Sequence, residues 1–204
     1  MPRTLNEILR NIFNWLISMK RLFDLFIAVL ALNILLVPAG LVALLVRLTS
    51  KGPIVYWSDR VGRYNINFKM PKLRTMRVDT PVVATHLLND TSYYLTPIGS
   101  FLRKSSLDEL PQIWSIIKGD MSFVGPRPAL FNQDDLIKLR TENGVHNLLP
   151  GLTGWAQVNG RDELSVPDKV ELDAEYIKRQ SFLFDMYILW LTLLKVVCRD
   201  GVSH

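Results

Sequence analysis

Cysteine is nearly missing from this chain of 204 residues; Cys198 is the single one. That excludes an intramolecular disulfide and any zinc site built on several thiolates. Histidine is scarce as well. His86, His146 and His204 are scattered, without the spacing of a metal motif. No small-residue cleavage site follows the first hydrophobic block, so a cleavable signal peptide is not expected. There is no internal repeat and no low-complexity tract. The glycine-rich stretches match neither the P-loop spacing nor the dinucleotide fingerprint.

What is present is apolar and basic. Hydrophobic residues make up 49% of the chain, with much of that in two blocks near its ends, and the formal net charge is +5. A basic balance suits an anionic partner: nucleic acid, a membrane surface or a phosphorylated substrate. The length suits one compact domain with appendages. Composition divides the chain into a membrane-associated part, residues 1–50, and a polar domain, residues 51–204.

Leu5, Ile8, Leu9, Ile12 and Leu16 follow helical spacing, which predicts an amphipathic helix over 5–19. Leu25 to Val46 is then a 22-residue run without a charge, long enough to cross a hydrocarbon core of about 30 Å. Pro38 interrupts it, with Asn33 one turn earlier, and a proline there removes a backbone donor and kinks the helix. Its flanks are basic on both sides: Lys20 and Arg21 before, Arg47 and Lys51 after. Cationic flanks belong on the cytoplasmic side. A helix that enters, bends at Pro38 and returns satisfies both flanks, and a kinked crossing stands beside it as the alternative.

After the turn Lys51-Gly52-Pro53, Ile54–Trp57 reads as a short strand. Phe68–Met76, with Lys69, Lys72 and Arg74, reads as an interrupted extended segment, on its own an ordinary solvated edge strand. Residues 77–97 are polar and turn-rich. Ser106-Leu107-Asp108-Glu109-Leu110-Pro111-Gln112 follows, leading into a helix predicted over Leu110–Lys118 and ended by Gly119. Adjacent carboxylates can hold a divalent cation, work as acid and base, or supply a nucleophile; they can equally be two solvated charges. In Gly125-Pro126-Arg127-Pro128 the prolines stiffen the backbone that presents a guanidinium, the side chain best matched to phosphate. A polar amphipathic helix is predicted over 129–143. Pro150–Arg161 is glycine-rich and ends in arginine; such glycines serve turns or let a backbone approach phosphate. A charged helix is predicted over 163–180. Phe182–Val197 is apolar, with Tyr187 and Trp190 suited to a membrane interface.

Together these features point to a phosphorylated substrate handled at a membrane surface. A metal ion on the acidic pair could neutralise a diphosphate, and only then does a carboxylate attack on an anionic phosphate become plausible. Arg103, Arg127 and Arg161 could stabilise phosphoryl oxygens.

The chain resembles the small monotopic phosphoglycosyl transferases of the bacterial sugar transferase family. The resemblance is carried by Lys20–Asp24, Lys51-Gly52-Pro53, Arg60-Val61-Gly62, Lys72–Met76, Ser106–Gln112, Gly119–Pro128 and Pro150–Arg161. It implies an α-rich α/β domain seated on amphipathic interfacial helices, with a re-entrant helix-break-helix at the N-terminus. It implies transfer of sugar 1-phosphate from a UDP-sugar to polyprenol phosphate (undecaprenyl phosphate) at the cytoplasmic face of the bacterial inner membrane, with UMP leaving and a phosphosugar-aspartate intermediate. Glycoconjugate or polysaccharide assembly would start there. By the resemblance Asp108 is the nucleophile and a Mg2+ ligand. Glu109 is its partner in the dyad, for metal support or for proton handling at the acceptor. Arg103, Arg127, Arg161, Lys72, Arg74 and Gln112 form the substrate-binding set. Partners would be donor, acceptor and membrane lipids, with no nucleic acid; the C-terminal helix leaves a homodimer open. N-acetylated amino or dideoxy sugars are the expected cargo. The chain departs from many relatives at the helix break, where Val37-Pro38 replaces Ser-Pro, so Asn33 is a candidate to support the bend. The rival readings are a catalytically silent membrane scaffold and direct transfer with Asp108 only a metal ligand.

Overall fold

The computed structural model describes residues 5–81, 91–160 and 163–198, with the side chains of the first helix described from Met19 onward. That helix, α1, runs Leu5–Thr49 and merges the two N-terminal segments into one continuous 45-residue helix that contains Pro38. Its Met19–Thr49 portion is long and apolar enough to cross a membrane, and almost none of it is buried by protein. One stripe faces the rest of the molecule. Ala28 lies in the main core, with Ile27, Ala31 and Leu35 packed against that core; Val42 and Val46 join Leu73 and Leu102 in a second cluster. Val29, Leu30, Ile34, Leu36, Val37 and Leu41 are exposed between these anchor points. Asn33 donates to the Val29 carbonyl (2.8 Å), one turn towards the N-terminus. The carbonyl released by Pro38 belongs to Ile34, so the support expected of Asn33 goes elsewhere.

Both termini of the apolar run are tied to the domain by polar groups. At the first, Lys20 Nζ donates to the Val124 carbonyl (2.9 Å), to Tyr176 Oη (3.0 Å) and to Asp185 Oδ2 (2.6 Å). Arg21 donates to the Ile116 and Ile117 carbonyls (2.6 and 2.8 Å), and Asp24 accepts from the Phe123 N–H. At the second, the Arg74 guanidinium donates to the Ser50 carbonyl (2.9 Å) and hydroxyl (2.7 Å).

Strands β1 (Val55–Val61) and β2 (Asn67–Leu73) form an antiparallel hairpin, with Trp57 opposite Pro71 and Tyr56 opposite Lys72. The first strand extends through Asp59-Arg60, beyond the four residues expected. A proline fits β2 because this two-stranded sheet leaves it a free edge. The solvated-strand reading fits only the start of the strand. Lys69 is exposed, whereas Phe68, Met70 and Leu73 are buried and Lys72 is turned inwards.

Short helices α2 (Thr91–Tyr94) and α3 (Gly99–Lys104) lead into a tight turn of 3-10 helix at Leu107–Glu109. Helix α4 (Gln112–Lys118) closes at Gly119 in the left-handed region (φ 102°), as the sequence predicts. Strands β3 (Ser122–Val124) and β4 (Gly151–Thr153) pair in parallel, three residues each, which no sequence pattern announced. Between them α5 begins at Asp134 rather than 129 and ends at Glu142. After α6 (Trp155–Val158), α7 (Val166–Arg179) starts on a Ser165 cap with Pro167 in its first turn. Helix α8 (Phe182–Cys198) buries Phe184, Asp185 and Ile188 and exposes Phe182, Leu183, Tyr187, Trp190 and Leu193. The main core gathers Met70, Ile113, Ile116, Met121, Phe123, Tyr176, Phe184 and Ile188 around β3.

Candidate active site

The acidic pair sits on the tight turn between α3 and α4. The chain enters it through Ser106 in the left-handed region (φ 55°), a conformation that costs a non-glycine residue about 1–2 kcal/mol. Asp108 is buried and Glu109 nearly so. These are not two solvated charges.

Glu109 Oε1 accepts from two cations brought from opposite sides. Lys72 Nζ reaches it from β2 at 2.9 Å and Arg127 Nη2 from the segment after β3 at 3.1 Å. Arg103, on the last turn of α3, donates from Nε to Thr75 Oγ1 (3.1 Å), and its charge acts on Asp108. The Asp108 carboxylate has no hydrogen-bond partner among the described residues. Its pKa is raised, chiefly by burial; Lys72 opposes that shift, the Glu109 charge adds to it, and Arg103 and Arg127 oppose it. Burial likewise pushes the Lys72 ammonium down, against the pull of Glu109 and with the repulsion of Arg127. The carboxylate is therefore more basic than an ordinary aspartate and surrounded by cations that hold it without a hydrogen bond, as a nucleophile or metal ligand requires.

The structure brings together Asp108, Glu109, Lys72, Arg103 and Arg127 from the sequence-derived set. Gln112, the first residue of α4, is buried beside the turn, with its amide nitrogen unpartnered among the described residues. Arg74 is a correction. It belongs to the C-terminal end of α1 rather than to the acidic pair, because β2 ends at Leu73 and beyond it the backbone bonds to Ile54 and the guanidinium to Ser50. Arg161 lies outside the described residues. Sequence reasoning missed the role of Arg60, whose Nε donates to Ser58 Oγ (3.0 Å), whose Nη1 donates to the Pro128 carbonyl (3.1 Å), and whose charge reaches Lys72. Its signal was its place in Arg60-Val61-Gly62, one of the matching segments.

The glycines of 150–160 have a packing task. A Cβ on Gly151 would lie 2.1 Å from the Gly125 nitrogen, and one on Gly154 would lie 2.1 Å from the Gly125 oxygen. Backbone meets backbone there, and the Gly151 N–H donates to the Pro126 carbonyl (2.9 Å).

Among the described residues no group of three or more His, Cys, Asp or Glu side chains could hold a metal. Two carboxylates still suit Mg2+, which commonly takes one or two protein carboxylates and completes its shell with water and substrate phosphate. The unpartnered oxygens of Asp108 fit that role.

The bacterial sugar transferase family matches residues 15–199, and the chain belongs to that family, a family of transferases. It is 41% identical over 188 residues to an uncharacterized sugar transferase, EpsL, of Bacillus subtilis, covering 91% of each chain. It is 38% identical over 186 residues to a UDP-glucose:undecaprenyl-phosphate glucose-1-phosphate transferase of Escherichia coli, covering 87% of this chain and 40% of that one. Over 201 residues it is 34% identical to an undecaprenyl-phosphate galactose phosphotransferase of Salmonella typhimurium, covering 90% of this chain and 41% of the relative. The chain thus spans about two fifths of the length of the two relatives with named activities.

Proposed function

We propose that this protein transfers sugar 1-phosphate from a UDP-sugar to a polyprenol phosphate, in bacteria undecaprenyl phosphate, at the cytoplasmic face of the inner membrane. The observation that carries the reading is Asp108: a buried carboxylate without a hydrogen bond among the described residues, ringed by Lys72, Arg103 and Arg127, in a domain docked on a membrane-length helix.

Asp108 attacks the phosphorus that bears the sugar. An aspartyl–phosphorus bond forms, the bond to the UMP oxygen breaks, and UMP departs. An oxygen of the lipid phosphate then attacks the same phosphorus, which restores the Asp108 carboxylate and yields the polyprenol-diphosphate sugar. Arg127 and Arg103 stabilise the phosphoryl oxygens as charge develops. Lys72 holds Glu109 in place and favours the ionised form of Asp108. Asp108 and Glu109 would hold a Mg2+, whose charge offsets that of the diphosphate.

For the membrane, the proposal is a re-entrant α1 bent at Pro38. Straight, the 22 residues from Leu25 to Val46 would rise about 33 Å, more than the roughly 30 Å hydrocarbon core. A perpendicular crossing would carry Val46 away from the domain on which Asp24 packs. What supports a return to one face is that Lys20, Arg21 and Asp24 at one end and Val46 and Ser50 at the other dock on the same domain. Cysteines placed just after residues 5 and 51 are expected to label from one side; labelling from opposite sides defeats the bend.

Relatives named for glucose and galactose make those UDP-sugars the first to screen, beside N-acetylated amino and dideoxy sugars. The decisive assay incubates the protein with labelled UDP-sugar and Mg2+ without lipid. Stoichiometric phosphosugar on the protein, lost in Asp108→Asn, is expected. An active enzyme without an adduct would mean direct transfer, and no UMP release from any donor would mean a scaffold.

A further inference from the structure

The backbone around Arg127 is held more completely than two prolines require. The Pro126 carbonyl accepts from the Gly151 N–H and the Ala129 carbonyl from the Val61 N–H, each at 2.9 Å. The Pro128 carbonyl accepts from Arg60 (3.1 Å) and the Arg127 carbonyl from Arg140 Nη1 (2.7 Å). Four successive carbonyls are committed. One of the donors comes from outside every segment that carries the family resemblance. Arg140 lies on α5, and its Nε and Nη2 both donate to Asp173 Oδ2 on α7 (2.9 and 2.6 Å).

This ion pair is almost fully enclosed: the side chains of Arg140 and Asp173 are 11% and 2% exposed. It lies beside the small cluster of Ala129, Leu136 and Val170. Such a pair is a poor way to stabilise a fold, because an apolar pair of similar volume is often as good or better. What an apolar pair cannot do is fix the Arg127 carbonyl. The planar guanidinium can, because Asp173 holds two of its nitrogens and thereby aims the third.

We propose that Arg140 and Asp173 are positioning residues for the transfer reaction: Asp173 orients Arg140, and Arg140 sets the Arg127 backbone so that its guanidinium meets Glu109 and the donor phosphate. This rests on the reading of Arg127 as a phosphate-binding group. Lysine at position 140 keeps the charge and can serve either Asp173 or the Arg127 carbonyl, not both in the same geometry.

The test is a double-mutant cycle on the full chain in nanodiscs, with undecaprenyl phosphate and the UDP-sugar that supports UMP release. Arg127→Ala, Arg140→Lys and the double variant are compared by kcat and KM for the donor, with melting temperature read alongside. Arg140→Lys is expected to lower kcat/KM about ten-fold or more, since small misplacements of a substrate-orienting group are costly. It is expected to add little to Arg127→Ala, because both changes remove one interaction. Asp173→Asn supplies a second arm in the same direction should Arg140→Lys not fold. A silent Arg140→Lys, or losses that multiply in the double variant, overturn the positioning role while the phosphate reading stands. Parental kinetics in Arg127→Ala overturn the phosphate reading and the positioning role with it.

Discussion

Gly154→Ala tests the contact that brings β4 and the site-bearing loop together. Gly154 is fully extended (φ −177°, ψ 177°), a conformation any residue adopts, so backbone strain is not the issue. Space is. The new methyl would lie 2.1 Å from the Gly125 oxygen, 2.9 Å from the Gly125 carbonyl carbon and 2.8 Å from Gln157 Oε1. Relief to ordinary contact needs a displacement of roughly 1 Å or more. The Gln157 side chain can give; the Gly125 carbonyl cannot without moving the chain two residues before Arg127. Overpacking of this kind costs about 1–3 kcal/mol, which in a protein of this size lowers the melting temperature by about 3–10 °C. A shift of about 1 Å in a substrate-orienting group can cost about a hundred-fold in rate. We therefore expect both a lower melting temperature and UMP release reduced ten-fold or more. Gly40→Ala is the matched control. A Cβ there meets nothing within 4 Å, and alanine favours a helix over glycine by about 0.5–1 kcal/mol, so stability should hold or rise. Parental melting and parental activity in Gly154→Ala would refute the backbone-to-backbone seam.

Other perturbations have defined signs. Lys72→Met removes the strongest influence keeping Asp108 ionised, so the acid limb of the pH–rate profile should move to higher pH; a fixed limb would mean another group titrates there. In the parent, the raised Asp108 pKa places that limb above the ordinary aspartate value of about 3.9, with activity gained as pH rises through it. Lys20→Met leaves Asp185 buried with Tyr176 as its remaining partner and should cost about 3–5 kcal/mol in a thermal or denaturant melt. Adding Asp185→Asn should recover part of that loss, and a Lys20→Met protein as stable as its parent would show that the network does not anchor α1.

Much of the molecule was legible without coordinates, and the physical reason is locality. The apolar run from Leu25, the glycine stop of α4 and the charged helix that becomes α7 are set by neighbours a few residues apart. The site motif around Asp108 and the stiff loop around Arg127 were readable for the same reason, as was the basic, membrane-seeking character of the chain. Which distant partner a side chain meets was not. Lys72 and Arg74 stand two residues apart in one cationic segment, yet one completes the acidic pair and the other secures the end of α1. Partners far away in sequence make that choice. The parallel pairing of β3 with β4, the glycine seam and the hold of Arg140 and Asp173 on Arg127 likewise join residues that no window of sequence contains together. Sequence alone determined that two adjacent carboxylates, phosphate-suited arginines and a membrane segment belong to one chain. Only the tertiary structure decided that Asp108 is buried while Glu109 is clamped between two cations, because burial and pairing arise when distant segments pack against each other.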